Sequence, residues 1–467
     1  MVAMKSPRST VGRRVENMVW PFLFIFGAIF FNLHALAFED PEQVAQGFLG
    51  LLQRGVFDEA LSMEDETMQK LLPKEALQKM WKSMTGDLGE LVEFRTDRVE
   101  EKGEYHIVFI ISRFERMTLM AQVVVSEKGR VSGLYFVPFT SGEYSLPSYA
   151  RTENFIEREV TFGVPGFELP GTLAIPKGGG PFPCVLLVHG SGANDRDETV
   201  MACKPFRDLA FGLATKGVAV FRYDKRTFVH GAQVTPSLLY FTVEEEVIED
   251  ALEALKFLRA QKDVDGENIF LLGHSLGGFV APEIAHRAGF VRGVILCAAP
   301  ARPLHELVPE QMGYLFSLDG VVDEREAQIL EGVRDVVRKL TERVFQPKDS
   351  VPHLGGYARY FYSLMDLRPL EVAKNLSLPF LVVQGGRDYQ VKERDFLLWK
   401  ETLSPNPKAF FRLYPSLNHL LIPGEGPSTP EEYERPGHVD ETLIEDLARW
   451  IDEQRFRPER EKPQEGL

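Results

Sequence analysis

The sequence predicts a doubly wound, mostly parallel α/β sheet preceded by a small α+β domain. Three observations carry this. After Arg158, short apolar β runs alternate with helical stretches, as when strands are joined by crossover helices. One of those runs enters a Gly-x-Ser-x-Gly turn and leaves as a helix. Ahead of residue 140 the order differs, with helices first and then a β meander.

The chain has 467 residues, enough for two or three domains, and its 44% hydrophobic and 26% charged residues are globular proportions. A net charge of −15 argues against a nucleic-acid partner, because neutralising phosphates needs a basic surface. Three scattered cysteines suit neither a disulfide framework nor a zinc site. No histidine and carboxylate set has metal-ligand spacing, so no metal is expected.

Residues 1–37 read as an export signal. Lys5, Arg8, Arg13 and Arg14 make a basic start, Met18 to Phe31 is almost wholly apolar, and Ala35-Leu36-Ala37 supplies a cleavage site. The apolar run falls short of the roughly 20 residues that a spanning helix needs. The expected product is an exported, periplasmic or extracellular protein starting near Phe38, with no stable membrane span after cleavage. Losing four basic residues and one acidic residue takes its charge from −15 to −18.

Residues 38–140 form the small α+β domain. Val44, Phe48, Leu51, Leu52 and Phe57 make one helical stripe, and Leu71, Leu72, Leu77, Met80, Trp81 and Met84 another. Tyr105–Phe114, Met117–Ser126 and Arg130–Val137 then read as strands. Residues 141–157, containing Ser, Gly, Pro and Tyr, read as a linker. Residues 158–454 form the main domain, and 455–467 a polar, disordered tail.

Within the main domain, strands are expected at Cys184–His189, Val218–Tyr223, Ile269–Gly273, Val291–Ala298, Phe380–Gln384 and Phe410–Tyr414. A helix over Val243–Gln261 opens with a capping box of Thr242 and Glu245. Residues 301–375 break the alternation and read as a helical insertion, a natural lid over the sheet.

The chemistry centres on Gly273-His274-Ser275-Leu276-Gly277. Glycines are needed where a sharp turn brings backbones close, and the turn lifts Ser275 out of the sheet. A serine hydroxyl needs a base to take its proton and a third group to orient that base. In an α/β-hydrolase the acid and then the histidine follow the serine. Downstream, His419 lies just past a strand, whereas His305 and His353 fall in the insertion and His438 opens the last helix. Asp388 ends the strand that precedes His419, with Asp366 in the insertion as runner-up. The oxyanion should be met by the backbone N–H of Leu276 and by that of Ser191, in the loop after the strand Cys184–His189. Asn194 to Glu198 and Tyr223 to Arg226 read as loop-holding clusters more than substrate contacts. Cys184 and Cys297 read as core thiols, with Cys203 also unpaired.

The runs His189 to Glu198 (HGSGANDRDE), Lys204 to Leu209 (KPFRDL), Phe221 to Arg226 (FRYDKR), Gly273 to Gly278 (GHSLGG), Gln384 to Gln390 (QGGRDYQ) and Asn418 to Leu420 (NHL) resemble secreted bacterial carboxylesterases of the EstD type, within the α/β-hydrolase superfamily. The resemblance covers about residues 155–455. It implies a nucleophile, acid and base at Ser275, Asp388 and His419, and hydrolysis of short-chain carboxylic esters, a small-molecule substrate, without a cofactor. The N-terminal segment resembles the small uncharacterised domain found ahead of many such hydrolases, with a nuclear-transport-factor (NTF2-like) fold. A serine peptidase or amidase with the same three residues is the alternative, because fold does not fix substrate. A binding protein working through its N-terminal domain is a third reading, against which the intact catalytic set argues.

Overall fold

The computed structural model describes residues 40–455 apart from 115–117, 140–141 and 235–238. The expected export signal, residues 1–37, and all of the expected tail except Arg455 lie outside the described residues. The chain divides into two compact units. The smaller takes residues up to Thr140 together with Met312–Ile329, and the larger takes Ser141–Gln311 and the chain from Leu330 onward.

The smaller unit begins with helices Pro41–Gln53, Phe57–Met63, Glu66–Leu71 and Lys74–Leu88. An antiparallel meander follows, of β1 (Leu91–Lys102), β2 (Tyr105–Phe114), β3 (Thr118–Ser126) and β4 (Val131–Pro138) in spatial order β1-β2-β3-β4. The expected stripes supply its core, where Phe48, Leu52, Leu77 and Trp81 pack on Val108, Ile110, Phe114 and Val123. The sequence reading omitted β1. It is an edge strand whose Glu93, Arg95, Asp97, Arg98, Glu100 and Glu101 hide the β alternation in charge. Such charges are what keep an unpaired sheet edge from recruiting other chains.

The larger unit is built on eight strands in the order β12-β11-β10-β9-β7-β8-β6-β5. These are β5 (Phe155–Val164), β6 (Phe167–Pro176), β7 (Phe182–Val188), β8 (Ala219–Tyr223), β9 (Val264–His274), β10 (Gly293–Cys297), β11 (Phe380–Gly385) and β12 (Ala409–Tyr414). All six expected strands are present and pair in parallel. The hairpin β5–β6, which joins β8 antiparallel, was not expected. Its outer strand is interrupted by three consecutive charges, Glu157, Arg158 and Glu159, and carries no long apolar run. Of residues 141–157, read as a linker, those described, from Gly142 onward, belong to this unit. Tyr149 is buried and its hydroxyl donates to the Val439 carbonyl at 2.8 Å, and β5 already begins at Phe155.

Period-two alternation explains how a continuous apolar run serves both faces of this sheet. Leu186, Val188, Leu271, Leu296 and Val382 face Leu255, Leu258, Val280 and Ile284. Their chain neighbours Val185, Leu187, Leu272, Ile295 and Val383 face Phe206, Leu213, Leu443 and Leu447. The capping box is formed, since the Glu245 carboxylate accepts from the Thr242 N–H at 2.9 Å. The segment it opens differs from the expected uniform helix. Glu244–Ile248 is a π turn, and the α-helix proper is Glu249–Arg259.

Between β10 and β11 lie helices Leu304–Phe316, Glu324–Thr341, Ala358–Asp366 and Pro369–Lys374, so residues 301–375 are helical. They are not one piece: Met312–Ile329 packs with the smaller unit, while the rest belongs to the larger. Cys184, Cys203 and Cys297 are buried and unpaired. Among the described residues, no helix is long and apolar enough to cross a membrane, and no group of three or more potential ligands could hold a metal ion.

Candidate active site

The site sits at the carboxyl ends of β7, β9, β11 and β12, where an α/β sheet opens its binding crevice. β9 ends at His274, Ser275 makes the turn, and the helix Leu276–Ala288 follows at once. Ser275 has φ 52° and ψ −121°, backbone that an L-residue reaches only under strain of order 1–3 kcal/mol. Its N–H donates to the Cys297 carbonyl at 3.0 Å, which ties the turn to β10. The turn has no room for side chains at two of its glycines. A Cβ on Gly273 would lie 2.2 Å from the Gly277 carbonyl oxygen, and one on Gly277 would lie 2.0 Å from that of Val188. Gly277→Ala is therefore expected to destabilise the protein by about 3 kcal/mol or more, because backbone rather than a flexible side chain must move. Denaturant unfolding checks this; an unchanged midpoint would show that the turn is looser than described.

The acid and histidine loops interlock. A Cβ on Gly385 would come 2.4 Å from the Leu417 carbonyl oxygen, and one on Gly386 2.8 Å from Pro415 Cα. This close approach brings Asp388 Oδ2 to 2.8 Å from His419 Nδ1, with both side chains buried. The other carboxylate oxygen accepts from the N–H groups of Gln390 (2.8 Å) and Val391 (2.9 Å), and Gln384 Nε2 donates to Oδ2 at 3.1 Å. Asn418 shapes the histidine turn by accepting from the N–H groups of Leu420 (3.0 Å) and Ile422 (3.1 Å). Leu421 completes that turn at φ 62°.

The expected oxyanion donors take different settings. Leu276 is buried and opens its helix, so its N–H is among the first-turn donors that no intrahelical carbonyl takes up. Ser191 is exposed on the loop after β7. Gly190, just before it, abuts the turn, since a Cβ there would lie 3.1 Å from Ser275 Cβ.

The competing candidates lie elsewhere. His438 Nδ1 is 3.3 Å from Asp208 Oδ2. His305 is buried in the insertion against the Phe361 ring. His353 is exposed, and Asp366 is ion-paired with Arg343.

The polar clusters hold loops. Arg196 pairs with Asp224 (2.9 Å), Arg222 with Asp197 (2.9 Å), and Asp195 Oδ2 accepts from the Thr199 hydroxyl (2.7 Å). Sequence reasoning missed one arrangement. Glu198 Oε1 accepts from the Gly190 N–H at 2.6 Å, and Oε2 lies 2.9 Å from His274 Nδ1. His274 Nε2 in turn is 2.8 Å from the His419 carbonyl oxygen, and the two imidazole rings are 4.8 Å apart. One buried ion pair thus joins the loop after β7, the serine turn and the histidine loop. The motif contained both residues, but nothing local says that they meet.

Burial alone would push the His274 imidazole down, yet Glu198 outweighs it and holds the pKa above the ordinary 6.5. Burial would raise the Glu198 carboxyl, and His274 and His189 bring it below 4.5. Between pH 6.5 and the raised pKa of His274, the native state binds more protons than the unfolded chain, so stability falls as pH rises there. Thermal unfolding across pH 6 to 9 should show this decline, and His274→Asn should flatten it. An equal slope in both proteins would contradict the pairing.

A mostly parallel sheet whose central strand delivers a serine on a strained Gly-x-Ser-x-Gly turn, with an acid after β11 and a histidine after β12, defines an α/β-hydrolase. The chain belongs to the hydrolase family described as serine aminopeptidase, S33, whose model matches residues 181–425. Residues 45–134 match a family described as a protein of unknown function, DUF3887. The chain is 42% identical over 429 residues to Esterase EstD of Thermotoga maritima, covering 92% of this chain and 99% of that protein. Among solved structures, Est1E from Butyrivibrio proteoclasticus is similar at TM-score 0.41 and 15% identity, over 63% of this chain and 98% of that one. An acylaminoacyl peptidase of Pyrococcus horikoshii is similar at TM-score 0.41 and 14% identity, over 70% and 52%.

Proposed function

We propose that the protein is a serine carboxylesterase acting on short-chain carboxylic esters. The observation that carries this reading is the buried Asp388–His419 contact of 2.8 Å beside the Ser275 turn. The name and 42% identity of the Thermotoga relative favour an ester over an amide. Ser275 Oγ attacks the ester carbonyl while His419 Nε2 takes its proton. Asp388 holds the Nδ1–H tautomer and stabilises the imidazolium that forms. The N–H groups of Leu276 and Ser191 receive the oxyanion. The tetrahedral intermediate expels the alcohol, protonated by His419, and leaves an acyl-Ser275. Water, activated by His419, then releases the acid. The polar contacts of Asn194 to Glu198 give the loop a fixed shape before substrate arrives, which preorganisation requires.

Matched substrates separate this from the peptidase alternative. Turnover of p-nitrophenyl acetate or butyrate is expected to exceed that of an aminoacyl p-nitroanilide by at least about 100-fold, and the reverse order would favour a peptidase. We also propose that the protein is exported after removal of residues 1–37. N-terminal sequencing of exported material should then begin at or near Phe38, and an intact Met1 on membrane-bound protein would contradict it.

A further inference from the structure

The loop carrying Ser191 is gripped from below by a buried lysine that the reaction scheme does not use. The Gly190 carbonyl and the Ser191 N–H belong to one planar peptide, and in the trans form they point in opposite directions. Whatever fixes that carbonyl therefore aims that N–H. Lys225 Nζ donates to the Gly190 carbonyl at 2.9 Å, and Asn194 Nδ2 adds a second donor at 3.2 Å. The Gly190 N–H, on the preceding peptide, is held by Glu198 at 2.6 Å.

Lys225 is fully buried, an expensive place for a charge unless its partners are fixed. Its partner is Glu246, with Oε1 2.7 Å from Nζ and itself buried. Glu246 stands on the π turn Glu244–Ile248, a local widening often found at functional sites. Its second oxygen accepts from the Tyr360 hydroxyl at 2.5 Å. Tyr360 lies on the helix Ala358–Asp366 of the insertion. Burial first, and the neighbouring Glu246 carboxylate second, hold the phenol well above its ordinary pKa, so it stays a donor. A chain of donors and acceptors thus runs from an insertion helix to the peptide that carries the Ser191 N–H.

We propose that Lys225 is a positioning residue for the oxyanion site. It aims the Ser191 N–H and, by placing positive charge on the carbonyl of the same peptide, makes that N–H a stronger donor to the developing oxyanion. Tyr360, through Glu246, sets Lys225 in place and so couples the insertion to transition-state stabilisation. Linked hydrogen bonds polarise one another in a low-dielectric interior, so the contribution grows with burial. The proposal rests on the reading of Ser191 as an oxyanion donor.

The test uses the full chain and its Lys225→Met and Tyr360→Phe variants. Active sites are titrated with a fluorophosphonate, so that kcat on p-nitrophenyl acetate is expressed per competent serine. Affinity for an aryl trifluoromethyl ketone, which forms a tetrahedral oxyanion adduct, is measured alongside. Losing one oxyanion donor outright costs about 100- to 1000-fold, so weakening one should cost less. Lys225→Met is expected to lower kcat per site by about 10- to 100-fold, leave KM within about twofold, and weaken the ketone by the same factor as kcat. Tyr360→Phe should shift both in the same direction by about three- to tenfold. A merely structural lysine would lower the number of titratable sites and leave kcat per site unchanged, and that result overturns the proposal. If Lys225→Met does not fold, Tyr360→Phe decides alone, and unchanged kcat per site and ketone affinity overturn it. Wild-type protein that neither hydrolyses the ester nor reacts with the phosphonate would instead overturn the underlying reading of the site, and this proposal with it.

Discussion

Ser275→Ala is expected to lower turnover of p-nitrophenyl acetate by about a millionfold, as removal of a serine nucleophile typically does. The loss should fall on kcat, because the hydroxyl contributes to bond formation and little to holding an ester. Stability should stay near that of the wild type. Alanine keeps the Cβ that the backbone at φ 52° already accommodates, and the Ser275 N–H still reaches the Cys297 carbonyl. What remains should be the weak catalysis of oxyanion donors and binding acting on water. Steady-state kinetics with thermal unfolding as a control measures both, and retained activity in a folded variant would remove Ser275 from the mechanism.

Asp388→Asn is expected to cost about 10,000-fold in kcat with KM little changed. The reason lies in the carboxylate's neighbours. Oδ1 accepts from two backbone N–H groups, at 2.8 and 2.9 Å, so an amide would place its oxygen there. Its NH2 would then face His419 Nδ1 and Gln384 Nε2, both of which now donate to Oδ2. Two donors meeting a donor is unfavourable, and the imidazole would escape by moving its proton to Nε2. That tautomer cannot accept the Ser275 proton. The loss should therefore exceed that expected from weakened electrostatics alone. A kcat within about tenfold of the wild type would mean that His419 is oriented by something else.

The parts legible in the sequence were those with a local signature. Five of the six parallel strands are buried on both faces and read as largely apolar runs, β12 on the sheet edge stands out by its aromatic and aliphatic residues alone, and the chain order of strand ends pointed to Ser275, Asp388 and His419. The edge strands β1 and β5 were not legible, because exposed charges on an edge interrupt the pattern that reveals a strand. The π turn ahead of Glu249 was also hidden, since a helical stripe looks alike whether one turn is wide or not. Glu198, His274, Lys225 and Tyr360 were present in plain view, but their roles depend on contacts between distant segments. Lys225 meets a carbonyl 35 positions away, and Tyr360 a carboxylate 114 positions away. No periodicity reports a pairing of that kind. The division of the insertion between two units likewise follows from which surfaces its helices find, which their own stripes do not encode.

The central claim is that Ser275 is the nucleophile of an ester hydrolase, and covalent labelling tests it most directly. Wild-type protein is allowed to react with a fluorophosphonate until ester hydrolysis stops, then digested and mapped by mass spectrometry. The expected result is one adduct per chain, on Ser275, formed in step with the loss of activity and absent from His419→Ala. An active enzyme that gives no adduct, or one labelled on another residue as its activity disappears, would contradict the account.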